Sequence, residues 1–438
     1  MGGMNSLRTR IVAALHKTPP PPLAPPDHYD PADVALMLRE IGAALVEVSL
    51  PVQVVEQRLL DIAARYTTAP VEVAVLPTML FIQIGSVVHQ MEGSTQPSSL
   101  LDIAARIDEI ADQATAGAIA PRDAVAAVRA ARTQPPRFGP AITTLGYAVT
   151  TVGFGMVIEP SWNSLPAHFL LGLVVGLVVL ISRPLPNLAP ILPTLSALAV
   201  TLLATWFVAD VAHDGLLRVI SPALIATLPG MALVVGAIEL AGGRILSGAG
   251  RTVWGLAQLA LLVYGVVLGV HIAGGVPEQS PSAMMGPWSL YVSIVVIAAG
   301  LYFYLCAPRG SLLWLLLVIA VGMLTQSAAG LVVNNAHSGF IAAMVAIPFA
   351  MLISRVKGTP PAAVLALAAF WSLVPGQLTF MSVSEKVAGD FTNAAGVGVA
   401  GAAILSIALG TLVGWSLVRT ANRLPQRPPA PVALPAAR

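Results

Sequence analysis

Between residues 141 and 418 the chain is an almost continuous series of apolar stretches, and these constrain its fold more than any other feature. They lie near 141–159, 165–182, 188–209, 220–242, 252–274, 288–306, 311–333, 338–354, 361–384 and 395–418. A membrane-spanning α-helix needs about 20 predominantly apolar residues, with a range of about 17–25. Inside a bilayer every backbone N–H and C=O must find a partner within the protein, which leaves helices or closed barrels. Overall the sequence is 56% hydrophobic and only 10% charged, against about 25% charged in an ordinary soluble domain. The expected fold is an all-α polytopic membrane bundle of about ten transmembrane helices.

The amino-terminal third is different. Residues 1–29 read as a disordered, proline-rich tail, and 30–134 as a small soluble α+β domain. Pro31-Ala32-Asp33 places proline and an acid in the first turn of a helix carrying Val34, Leu38, Ile41, Leu45 and Val48 at helical spacing. Pro51 opens a second helix. Val71 to Val75 alternates like a strand, Thr78–Ile84 and Ser86–Met91 predict two more, and Leu101–Ala116 and Pro121–Ala131 are helical again. From Asp27 to Gln134 there are 14 Asp/Glu and 7 Arg, a net charge of −7, whereas from Arg137 onward 7 acids face 13 Arg/Lys. Basic residues are not clustered on one face, so nucleic acid is not an expected partner. The single cysteine, Cys306, excludes an internal disulfide and a multi-cysteine metal site. No metal or cofactor is expected.

The basic loops give an orientation. If 30–134 is cytoplasmic and all ten stretches span, the inside loops hold Arg183, Arg244, Arg251, Arg309, Arg355 and Lys357, and the tail 419–438 holds Arg419, Arg423 and Arg427. Outside loops hold Arg218 and Lys386. Both termini are then cytoplasmic, in a plasma membrane of bacterial type. The apolar region divides into halves 141–274 and 288–418. Leu228-Pro229-Gly230 with Glu239 recurs as Val374-Pro375-Gly376 with Glu385, each position 146 residues later. Five spans per half is an odd number, so the second copy is inverted relative to the first. A glycine/proline-interrupted pair in two inverted halves points to a solute site near the membrane midplane.

Pro229, Gly230, Pro375 and Gly376 are therefore candidates for substrate binding through freed backbone groups, with a structural kink as the alternative. Gln326 and Gln377 are uncharged polar groups within spans, suited to a solute carboxylate or to interhelical hydrogen bonds. Glu239 and Glu385 are candidate coupling or gating acids, because a carboxylate at membrane depth is costly. Asp210 and Asp214, with His213, could extend a proton relay, although a solvated loop is the simpler reading. Asn334, Asn335 and His337 predict an exposed turn. Gly172-x-x-x-Gly176, Gly265-x-x-x-Gly269 and Gly410-x-x-x-Gly414 predict close helix packing, within the chain or in a homo-oligomer.

The chain resembles the threonine/serine exporter family. The resemblance is carried by the front region (Val71-Glu72-Val73, Pro77-Thr78, then Ile107 to Ile119), by Leu228-Pro229-Gly230 with Gly242-Gly243, and by Leu373-Val374-Pro375-Gly376 with Gly389-Asp390-Phe391. It implies a secondary transporter that exports threonine or serine, small-molecule solutes, across the bilayer, with proton coupling as a further expectation. A related activity is export of a succinate-like dicarboxylate. A membrane-anchored sensor or hydrolase acting through the front domain is the rival class. The absence of a G-x-S-x-G elbow, an H-E-x-x-H pair and a P-loop speaks against hydrolysis and against ATP-driven transport within this chain.

Overall fold

The computed structural model describes residues 17–18, 20–23, 29–92, 100–182, 185–208, 216–274, 283–373 and 395–423. Asp210, Asp214, Pro375, Gly376, Gln377 and Glu385 lie outside these.

The amino-terminal elements are α1 (Pro31–Glu47), α2 (Val52–Tyr66), β1 (Val71–Val75), β2 (Met79–Ile84), β3 (Val87–Glu92), α3 (Leu101–Ala116) and α4 (Pro121–Thr133). The strands form an antiparallel sheet in the order β1-β2-β3, with Val73 opposite Ile82 and Ile82 opposite His89. Gly85, at φ +61°, and Ser86 make the tight turn between β2 and β3. Leu38, Ile41, Leu59, Ile62, Leu80, Ile82, Ile110 and Val128 share one core. Over this core the charges pair: Arg132 bonds Glu40 and Glu47, and Arg58 bridges Asp108 and Asp112.

The rest is helical: α5 (Pro140–Ile158), α6 (Ser164–Ser182), α7 (Leu192–Phe207), α8 (Leu216–Leu224), α9 (Gly230–Ala241), α10 (Ile245–Ala273), α11 (Trp288–Tyr304), α12 (Leu312–Gly330), α13 (Asn335–Ile353), α14 (Ala362–Leu373) and α15 (Ala395–Arg423). Among the described residues five helices are long and apolar enough to cross a membrane, or six if the bent pair 216–227 and 230–241 is one span. Four further apolar helices, including α7 and α14, are shorter. Leu170, Ile181, Val253 and Leu313 are exposed, as lipid-facing positions require.

Element limits depart from the sequence reading where proline intervenes. The 188–209 stretch starts as a 3-10 turn, Pro186–Ile191, because Pro190 and Pro193 delay the α-helix to Leu192. Asn335 and His337 lie inside α13 rather than in a turn, and His337 Nδ1 is 3.2 Å from the Ser406 hydroxyl of α15.

Small residues set the helix contacts. Along α5 and α11, Gly146 meets Phe303, Thr150 meets Gly300, and Gly153 meets Ile297, so these two helices run antiparallel. Gly172 and Gly176 of α6 sit on Thr151 and Thr144 of α5. Gly265 and Gly269 of α10 sit on Thr194 and Thr201 of α7, and Gly410 and Gly414 of α15 on Phe340 and Pro348 of α13. All three glycine pairs pack within the chain.

Candidate functional site

The fourth apolar stretch is a broken helix. α8 already contains Pro222, runs into a 3-10 turn at Ile225–Thr227, and stops at Leu228 and Pro229. α9 restarts at Gly230 at an angle of 65° to the segment before it. Pro229, at φ −79° and ψ 30°, is its N-cap residue and supplies no side-chain hydrogen bond. A break inside a span frees backbone groups that need partners. The Tyr147 hydroxyl of α5 takes two of them, donating to Ala223 O at 2.5 Å and accepting from Ala226 N–H at 3.1 Å. Tyr147 is fully buried, its ring centroid 4.8 Å from that of Tyr304, which lies 6.0 Å from Trp371 of α14. Leu228 packs against two cores at once, one built from α5 to α8 and α10, the other mainly from α11, α12 and α14. Pro229 and Gly230 thus sit, buried, on the seam between the two sets of helices.

Tyr147 left no signal in the sequence beyond being a tyrosine in an apolar run. Replacing it by phenylalanine keeps the ring but orphans the two backbone groups, so a loss of about 1–3 kcal/mol is expected. Thermal unfolding of the purified variant checks this; an unchanged midpoint would mean the hydroxyl does not hold the break.

α9 ends on the second feature. Glu239, near its carboxyl end, is completely buried. Oε1 accepts the Val52 N–H at 3.0 Å, and Oε2 accepts the Ser247 hydroxyl at 2.7 Å. Arg251 Nε of α10 lies 3.1 Å from Oε1. Val52 is the first residue of α2, whose N-cap, Pro51, provides no side-chain cap. The carboxylate therefore caps the amino end of α2 from another part of the chain, where the helix dipole favours negative charge. One turn along α2, Glu56 accepts the Val75 N–H at 3.2 Å and pairs with Arg244. Elsewhere on the same face, Leu101 N–H donates to Leu305 O at 2.8 Å, Arg137 donates to Tyr302 Oη at 2.9 Å and Ala307 O at 2.6 Å, and Lys17 Nζ donates to Thr359 O at 2.9 Å.

The remaining sequence candidate, Gln326, is half-buried in α12, one turn from Gly322, which faces Ser372 of α14. Glu239 and the Pro229-Gly230 break occupy the two ends of α9 and do not meet.

A family model described as "Putative threonine/serine exporter" matches residues 37–273. The chain belongs to that family. The match runs from within α1 to the end of α10 and takes in the broken helix and the Glu239 junction together. As a member of this exporter family with long apolar helices, the chain is an integral membrane protein and a transporter of the amino-acid export class. No curated protein and no solved structure matches it.

Proposed function

We propose that the protein is a secondary transporter exporting threonine and serine, and that its solute passes at the break between α8 and α9. The observation that carries this is the buried Pro229-Gly230 break on the seam between two helix sets, in a chain of the exporter family. The first N–H groups of α9, at Gly230 and Met231, have no side-chain cap. A helix amino end of this kind suits the carboxylate of an amino acid. Pro375, Gly376 and Gln377 would contribute from the second half, and Gln326 from α12.

Ten spans in two inverted halves of five fit the five long helices, the bent pair and the four shorter apolar helices. Glycine packing supports a repeat: α10 seats Gly265 and Gly269 on α7, and α15 seats Gly410 and Gly414 on α13, each glycine 145 residues after its counterpart. The antiparallel pair α5 and α11, the first element of each half, fits a pseudo-two-fold axis in the membrane plane. We take 30–134 as a cytoplasmic domain, with 141–274 and 288–418 as the transmembrane halves. Its contacts reach Glu239, Arg244 and Leu305, in or beside the loops whose basic residues predict the inner face. In this reading Glu239 is the inner gate: while Val52, Ser247 and Arg251 hold it, α9 is clamped to the cytoplasmic domain.

Counterflow of labelled threonine into proteoliposomes preloaded with threonine, serine or succinate tests the substrate. Threonine and serine are expected to drive uptake and succinate is not. Uptake driven by succinate alone would replace this reading with dicarboxylate export.

A further inference from the structure

We propose that Glu159 and His168 form a proton-binding site at the end of the bundle away from the amino-terminal elements, and that this site couples proton movement to solute export. The inference rests on the transport reading above. Glu159 follows the last residue of α5 and His168 lies in the second turn of α6, and both are completely buried. The imidazole is seated on Gly155. A Cβ there would come within 2.2 Å of His168 Cδ2, so α5 presents no side chain where the ring sits. The ring lies against the backbone at Glu159 and at Val219 of α8, yet neither nitrogen makes a hydrogen bond of good geometry. The Ser221 hydroxyl, two residues further along α8, is also completely buried and without a hydrogen-bond partner. Beside them Ser164 donates to Glu159 O at 3.1 Å and accepts from the Ser161 hydroxyl at 2.8 Å.

An imidazole and a hydroxyl buried like those of His168 and Ser221 are costly unless something satisfies them, and ionisable side chains at membrane depth are kept for ion or proton handling. The imidazole fills the space that Gly155 leaves open, and a proton needs no further cavity there. No metal-binding group of His, Cys, Asp and Glu occurs among the described residues. Among the described residues the charged groups on the elements against the ring are few: Glu159 just after α5, and Arg218 as the only charged residue of α8; α6 carries no other titratable side chain. We assign Glu159, whose main chain lies against the ring, the role of counter-charge to an imidazolium at His168. The coupling runs through α8. Its Val219 touches the ring, and eight residues later, at Thr227, its line of chain reaches the break. Uptake of a proton by the ring changes the charge against one end of the element whose other end forms the solute site.

The test uses the purified full-length protein in proteoliposomes, comparing His168→Gln and Glu159→Gln with the wild type in two assays. One is threonine counterflow with no pH gradient. The other is accumulation of threonine driven by a pH gradient. The proposal predicts that both variants retain counterflow and lose gradient-driven accumulation. Retained accumulation in both variants would overturn it. So would parallel loss of both activities in correctly folded, equally reconstituted protein, which would make the pair part of the solute site. If the wild type shows no counterflow, the transport reading fails and takes the proposal with it.

Discussion

Replacing Glu239 by alanine is expected to destabilise the protein by about 3–5 kcal/mol, because it leaves Arg251, whose side chain is 14% exposed, without its counter-charge and removes the cap of α2. The thermal midpoint of the solubilised protein should fall, and amide exchange in the first turn of α2 should rise with it. Since Glu239 and Arg251 act as a unit, the double variant Glu239→Ala/Arg251→Ala is expected to lose less than the sum of the single losses. A surface carboxylate at a helix end would behave otherwise, changing stability by no more than about 0.5 kcal/mol. A change that small would remove Glu239 from the gate.

Comparable damage is expected from one methyl group on α15. A Cβ at Gly410 would lie 2.2 Å from the Phe340 carbonyl oxygen, a backbone atom that cannot rotate away. Gly410→Ala must therefore separate α13 from α15, and overpacking of this kind costs about 1–3 kcal/mol or more. Gly401, on the same helix, has nothing within 4 Å of such an atom. Gly401→Ala is the control for helix propensity and is expected to express and migrate on size exclusion like the wild type. Equal behaviour of the two variants would contradict the packing of α15 on α13. Gly265→Ala, which meets the Thr194 carbonyl oxygen at 2.5 Å, should resemble Gly410→Ala if the two halves are built alike.

Periodicity made the amino-terminal elements legible before the structure: Val34, Leu38, Ile41 and Leu45 do line the core face of α1. The position of the break was legible too, because proline and glycine weaken a helix. Its consequences were not. The groups that satisfy it come from Tyr147, 76 residues away from Ala223, and nothing in an apolar run marks which tyrosine will do so. Glu239 was conspicuous as an acid near an apolar span, but its partner Val52 is 187 residues distant and donates through the backbone, which leaves no trace in residue identity. His168 was within reach of sequence reasoning as an ionisable residue inside the apolar run 165–182. It draws weight only once Gly155 and α8 are seen to enclose it.

The central claim, that solute passes at the break between α8 and α9, is tested most directly by a single cysteine placed there. Cys306 is the only cysteine and is buried, so a Cys306→Ser background isolates the probe. Ala226 is half-buried at the break. In Ala226→Cys, a membrane-permeant maleimide is expected to abolish threonine counterflow, and excess threonine or serine should slow the labelling. Labelling that threonine does not slow, in a protein whose counterflow survives modification, would contradict a solute path through the break.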